Sequence, residues 1–368
     1  MSKIFELYGY RLDHWNEEAE KNLSRAWCPF MDAECDGGGN RYQSAIDLRN
    51  NPELRTRIPK KDMIQCGVCS LQTHVGEQPW IVCPRRLLSL KKGNLSAHQA
   101  YVRERLSTYA DLDKGKTYSA WAEVKIKTGS TAEDDELKSF DYTFDYVLTG
   151  TGRKQISEVS SMLGIPANIV QKTAEKSGYT LALRNGETWI DNFPTDPIII
   201  IEVMTSSTSG GDKKKRTQIA MACEDAILRG ENHNAPGINY RQVWARMVSQ
   251  LVVKSQVGMA WGGKTIWLVQ DVLADYISKS TALILSQYLS AHLDEVNILS
   301  FGYGDGLNDR DALVDLRDSK LFSEPITQSG SVNSHDGFVD IVKIGAPPPK
   351  EQIWKSLLSK APVGIWKW

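Results

Sequence analysis

The most apolar short run in the chain is Pro197 to Val203, four consecutive isoleucines followed by Glu202 and Val203. Its β-branched content predicts a central strand buried on both faces. Tyr118 to Lys127 alternates apolar and polar residues as a half-buried strand does, and Phe140 to Leu148 repeats the alternation with aromatic positions. Between them the polar, acidic run Gly129 to Lys138 reads as a solvated hairpin loop. Apolar residues spaced by three and four predict a helix over Ser96 to Leu112, and further helices over Lys213 to Leu228, Val243 to Val253 and Val272 to His292. Thr265 to Val269 and Asn297 to Phe301 read as strands. An apparent helical insertion between Arg153 and Tyr179, within about residues 151–190, holds two short amphipathic helices, Ile156–Leu163 and Ala167–Lys176, joined at Gly164. That pattern fits a helix-turn-helix whose second helix enters a major groove, and equally a helical hairpin packed on the body. The whole reads as an α/β body in which a short sheet is flanked by helices.

Composition narrows the class without naming a function. A chain of 368 residues can bury one large core or two smaller ones, and its formal net charge of −1 neither demands nor excludes nucleic acid. No apolar run is long enough to span a bilayer and Met1-Ser2-Lys3 begins no signal peptide, so a cytoplasmic protein without a membrane partner is expected. Trp354, Trp366 and Trp368 read as a tail that docks on the body.

The cysteines are unevenly placed: Cys28, Cys35, Cys66, Cys69 and Cys83 crowd the N-terminal stretch, and Cys223 stands apart. Gly- and Pro-containing turns surround the five, and such turns let backbone amides approach thiolate sulfurs. A disulfide framework suits small secreted chains, so a structural metal held by four thiolates is the expectation, with one cysteine spare. Residues 1–92 are then a metal-stapled module with too few apolar residues for a core of its own, and 93–368 the larger domain.

Charge at the end of a greasy strand is costly without a partner. Glu202 follows the four isoleucines, Asp145 sits between Phe144 and Tyr146, and Glu123 lies in the first strand of the same set. Each acid alone is explained by a nearby Lys or Arg. Three on adjacent strands form an oxygen-rich site suited to magnesium, which lowers the pKa of a bound water and stabilises charge on a phosphate. The spacing is loose, for Asp113 with Glu123-Val124-Lys125 fits the same pattern.

The series Cys28-Pro29-Phe30, Cys35-Asp36-Gly37-Gly38-Gly39-Asn40-Arg41, Gly67-Val68-Cys69 and Trp80-Ile81-Val82-Cys83-Pro84-Arg85-Arg86-Leu87 resembles the N-terminal part of the NotI group of type II restriction endonucleases. The resemblance continues through the acidic strands and fades over the last hundred or so residues. It implies an α/β PD-(D/E)xK core with an N-terminal four-cysteine metal-binding module, a homodimer, and magnesium-dependent cleavage of double-stranded DNA at a short GC-rich palindrome. It assigns a structural iron, or zinc, to Cys28, Cys35, Cys69 and Cys83, with Cys66 as the spare or alternate ligand. It assigns catalysis to Glu123, Asp145 and Glu202, with magnesium held by Asp145, Glu202 and the Val203 backbone carbonyl. Glu123 then ligates a second ion or orients the attacking water. The module is expected to set Arg41, Arg85 and Arg86 against DNA, where guanidinium groups bind phosphates or guanine edges; pairing with acids of the module is the plainer reading. The run Lys213 to Arg216, at a helix start, reads as a solvated face or a phosphate contact.

Two departures stand out. Met204 occupies the family's Gln position, Lys in the wider superfamily, and a thioether neither donates a hydrogen bond nor stabilises an anion. Lys125 or Lys213 is expected to take over, or the metal to suffice. The insertion is the second departure, and it either reads extra base pairs or braces the module. The alternatives are a sequence-specific DNA-binding protein with a degenerate, non-cleaving site, and a repair or recombination nuclease of the same fold.

Overall fold

The computed structural model describes residues 2–38, 44–90, 95–127, 141–280, 284–324 and 348–367. The expected loop 129–138, Arg41 and Trp368 lie outside the described residues.

The chain opens with β1 (Lys3–Leu7), β2 (Tyr10–Arg11) and α1 (Glu17–Ser24), whose first turn is capped by the Asn16 side chain accepting from the Ala19 amide. Hairpin strands β3 (Trp27–Cys28) and β4 (Ala33–Glu34) precede a second pair, β5 (Ala45–Asp47) and β6 (Met63–Gln65), which flank α2 (Pro52–Arg57). Next come β7 (Val68–Gln72), β8 (Trp80–Ile81) and the single turn α3 (Pro84–Leu87). Strands β2-β1-β7-β8 form an antiparallel sheet. The apolar residues of this segment are buried in a core that it shares with a later part of the chain. Ile4, Leu7, Leu23, Ile46, Leu54, Ile64 and Leu71 are buried with Ala222, Cys223 and Ile227 of a later helix. The apolar positions are spread over many short elements, which hides them from any search for helical or strand periodicity.

After α4 (Ala97–Tyr109) the main sheet is built from β9 (Thr117–Lys127), β10 (Asp141–Gln155), β11 (Leu181–Arg184), β12 (Glu187–Met204), β13 (Lys264–Gln270), β14 (Val296–Gly302), β15 (Arg317–Glu324) and β16 (Gly364–Lys367). Its order is β15-β14-β13-β12-β10-β9-β16, with β11 paired to β12. The three inner strands β12, β13 and β14 are parallel to one another, and the remaining pairs are antiparallel. The flanking helices are α5 (Ile156–Leu163), α6 (Ala167–Lys176), α7 (Ile219–Arg229), α8 (Tyr240–Ala260), α9 (Asp271–Ser280) and α10 (Glu351–Leu358). The class is therefore mixed α/β, a large mixed sheet with helices on both faces.

The isoleucine run is central, as its composition requires. Ile199, Ile201 and Val203 pack toward α4, while Ile198 and Ile200 pack toward α8 and α10. Helices α5 and α6 form a hairpin braced on the body: Val159, Val170 and Ala174 are buried with Trp121, Phe144 and Leu357. The tail docks as expected, with Trp354 buried on α10 and Trp366 donating its indole N–H to Ser107 Oγ at 2.6 Å.

Two helix boundaries differ from the periodicity. Lys213 to Arg216 form a turn before α7, not its first turn, because Asp212 Oδ1 accepts from the Lys214 and Lys215 amides and so competes with helical bonding. The expected helix to His292 ends at Ser280, and a short 3-10 turn at Leu285–Tyr288 follows.

Candidate active site

The strand register sets Glu123, Asp145 and Glu202 in one transverse row. Asp145 lies between the pairs Phe144–Val124 and Tyr146–Ala122, opposite Glu123, and one step beyond the pair Tyr146–Ile201, opposite Glu202. Side-chain alternation breaks at this row. Tyr118 and Ala120 face α4, whereas Trp121, Val124 and Ile126 all face α10, although Trp121 and Val124 are an odd number of positions, three, apart. Phe144 and Val147 show the same step on β10. Glu123 absorbs it with a φ of +51°, a left-handed conformation that costs a non-glycine residue roughly 1–2 kcal/mol. Its carbonyl accepts from Lys360 Nζ at 2.9 Å. Regular period-two alternation, the reading natural to this sequence, gives no warning of the break.

Asp145 is tied to the neighbouring strand at both ends. Its Oδ2 accepts from the Val203 amide at 2.9 Å, and its own amide donates to Glu202 Oε1 at 3.3 Å. Glu202 is 2% exposed, and its second oxygen accepts from Lys254 Nζ on α8. Burial and the Asp145 charge push Glu202 up to about 8, with Lys254 opposing them incompletely. Gly258, one turn beyond Lys254, lets α8 lie against the sheet, since a Cβ there would stand 2.5 Å from Thr265 Oγ1.

Glu123, Asp145 and Val203 open on one small cleft of about 60 Å³ together with Gly38, Arg85 and Tyr146. Such a space takes a few water molecules. Glu202 lies behind it. Arg85 Nε donates to Asp36 Oδ2 at 3.0 Å and Nη1 donates to the Tyr146 hydroxyl at 2.9 Å. Burial works against its charge, but Tyr146 and Asp36 outweigh burial and hold the guanidinium above its ordinary value.

The other expected residues fall elsewhere. Arg86, expected against DNA, is fully buried and pairs with Glu6, itself bound to Ser70 and Tyr303, so it is an interior cation with no path to a surface ligand. Met204 packs beneath α8 with Val243, Met247 and Leu251. Lys125 and Lys213 are exposed and do not line the cleft. Asp113 pairs with Lys116 in the turn before β9. Lys254 and Lys360 were not foreseen. Lys254 carried a signal, for it interrupts the apolar stripe Val243, Met247, Leu251, Gly258 of a buried helix face.

Cys28, Cys69 and Cys83 are buried in one cluster with Cys35 packed against it. Backbone amides of Phe30 and Met31 hydrogen-bond to Cys28, that of Gly37 to Cys35, and those of Arg85 and Arg86 to Cys83. Burial, then the neighbouring sulfurs, raises Cys28 to about 12 and also raises Cys35. Cys66 is elsewhere, hydrogen-bonded to Cys223. The donor set suits a soft ion in chemistry, with four sulfurs approached by amides. Among the described residues no group of three or more His, Cys, Asp or Glu is disposed to hold a metal ion, and this covers the acidic row as well.

The fold and site thus define a mixed α/β protein with an acidic row at a sheet discontinuity. No protein-family model, no curated protein and no solved structure matches the chain. Among the described residues no helix is long and apolar enough to cross a membrane.

Proposed function

We propose that this chain is a type II restriction endonuclease of the NotI-like kind, hydrolysing phosphodiester bonds in double-stranded DNA with magnesium and acting as a homodimer on a short palindrome. The observation that carries the reading is the row Glu123, Asp145, Glu202 across three adjacent strands, with the first two open on a cleft that a cation also lines. Glu123, Asp145 and the Val203 carbonyl would hold magnesium, which when bound supplies Lewis acidity toward a phosphate and a water. Asp145 is kept in place by the Val203 amide. Glu202 holds the Asp145 amide and meets Lys254, so its part is first to position Asp145 and only then to lend charge to the site. Cys28, Cys35, Cys69 and Cys83 would hold iron or zinc, cross-linking the loops around Asp36 and α3 without taking part in chemistry.

A second reading, a DNA-binding protein that does not cut, draws on Met204 being buried core and on Glu202 being engaged by Lys254. Incubation of plasmid or phage DNA with the protein and magnesium separates the two. Discrete fragments support the endonuclease, a smear or ladder supports a repair nuclease of the same fold, and a shifted but intact duplex supports the binder.

A further inference from the structure

We infer that Arg85 is a catalytic residue of the proposed hydrolysis, supplying at the scissile phosphate the positive charge that Met204 does not, and that the cysteine cluster serves the reaction by fixing this guanidinium. The inference rests on the nuclease reading and adds a residue and a linkage to it.

A cleft lined by Glu123 and Asp145 repels a phosphodiester unless a cation shares it. Among the described residues lining the cleft, Arg85 is the only cation. Lys254 reaches Glu202 behind the row and Lys360 contacts the Glu123 carbonyl. Met204, at the strand position where a lysine would point, is 5% exposed beneath α8. The Arg85 side chain is 20% exposed, open enough for a ligand and dry enough for its charge to count.

Its position ties it to the two cysteine loops. Arg85 stands two residues after Cys83, on a helix of a single turn whose N-cap is Cys83. Its carboxylate tether, Asp36, directly follows Cys35, and Asp36 Oδ1 also accepts from the Gly38 amide at 2.9 Å on the cleft wall. The third hold is Tyr146, next to Asp145, whose hydroxyl accepts from Arg85 and donates to the Leu88 carbonyl at 3.3 Å. A guanidinium held in this way loses little freedom on binding, and it carries more donors than these two contacts use. In the reaction a water oxygen forms a bond to phosphorus while the bond to the leaving deoxyribose oxygen breaks. The water gives up a proton to solvent and the leaving oxygen takes one from solvent. Arg85 keeps its own proton throughout and binds the phosphate oxygens as negative charge builds on them.

The experiment compares wild type with Arg85→Ala, Arg85→Lys and Asp36→Asn, in single-turnover cleavage with magnesium and in duplex binding with calcium at several salt concentrations. Arg85→Ala is expected to slow cleavage by about 10²–10³-fold, the loss seen when one donor to a developing anion is removed. It is also expected to reduce the slope of log affinity against log salt by about one, the mark of one phosphate contact. Arg85→Lys, which keeps the charge and stem, falls between, and Asp36→Asn shows a smaller loss of rate at unchanged slope. If Arg85→Ala cuts within about threefold of wild type, or loses binding without losing rate, the inference is overturned. If wild type itself cuts nothing, the nuclease reading fails and the catalytic role with it; a slope that still falls by about one then leaves Arg85 a phosphate contact only.

Discussion

The ammonium of Lys254 on α8 donates to the carboxylate of Glu202 on β12, two residues before Met204 on the strand. Both side chains are nearly inaccessible, at 10% and 2% exposure. Breaking a buried pair while the remaining charge stays costs about 3–5 kcal/mol, but a carboxylate already pushed up to about 8 escapes the cost by taking a proton. Lys254→Met is therefore expected to destabilise the metal-free chain little at about pH 6 and clearly at about pH 9. Urea unfolding at the two pH values measures the difference, and equal losses would refute the pairing.

The same group sets the pH response of the wild type without magnesium. A folded pKa raised from the ordinary 4.5 to about 8 means that the native state holds the proton longer than the unfolded chain. The stability Glu202 contributes is complete below its ordinary value and is lost as pH rises through about 8. Melting temperature is expected to fall across that window, and Glu202→Gln to flatten the fall.

Cys66 and Cys223 stand apart from the other cysteines. On the proposed four-cysteine assignment, Cys66→Ser and Cys223→Ser are expected to retain iron or zinc, whereas Cys28→Ser and Cys69→Ser lose it. Elemental analysis of the purified variants reads this directly. Loss of metal from Cys66→Ser would reverse the assignment of ligands.

Adjacent arginines on α3 are expected to behave oppositely. Arg86 is buried against Glu6, with Tyr303 donating to Glu6 Oε2 at 2.6 Å. Removing it leaves a buried carboxylate, so Arg86→Ala is expected to cost about 3–5 kcal/mol of stability. Arg85→Ala is expected to leave the free energy of unfolding within about 1 kcal/mol of wild type. Denaturant titration of both variants tests the contrast.

Much of the sheet was legible because its strands obey simple periods. The isoleucine run named β12, alternation named β9 and the start of β10, and short apolar runs named β13 and β14. The acids of the row were legible for the same reason, since each interrupts an apolar strand. Three features were not. The face flip at Glu123 and Asp145 is a backbone conformation, and nothing in the residue pattern encodes it. Lys254 reaches Glu202 from a helix 52 positions away, a tertiary pairing that strand spacing does not carry. Arg85 and Arg86 are identical in sequence terms, and only the fold of β1, which brings Glu6 to Arg86 and leaves Arg85 to Asp36, tells them apart.

The most direct test is digestion of duplex DNA with magnesium by wild type and Asp145→Asn side by side, with fragment ends sequenced. Wild type is expected to give discrete fragments sharing one terminal sequence, and Asp145→Asn none, although it still retards the same duplex in a gel. Undiminished cutting by Asp145→Asn, or intact DNA from wild type with every divalent cation tried, would contradict the proposed nuclease site.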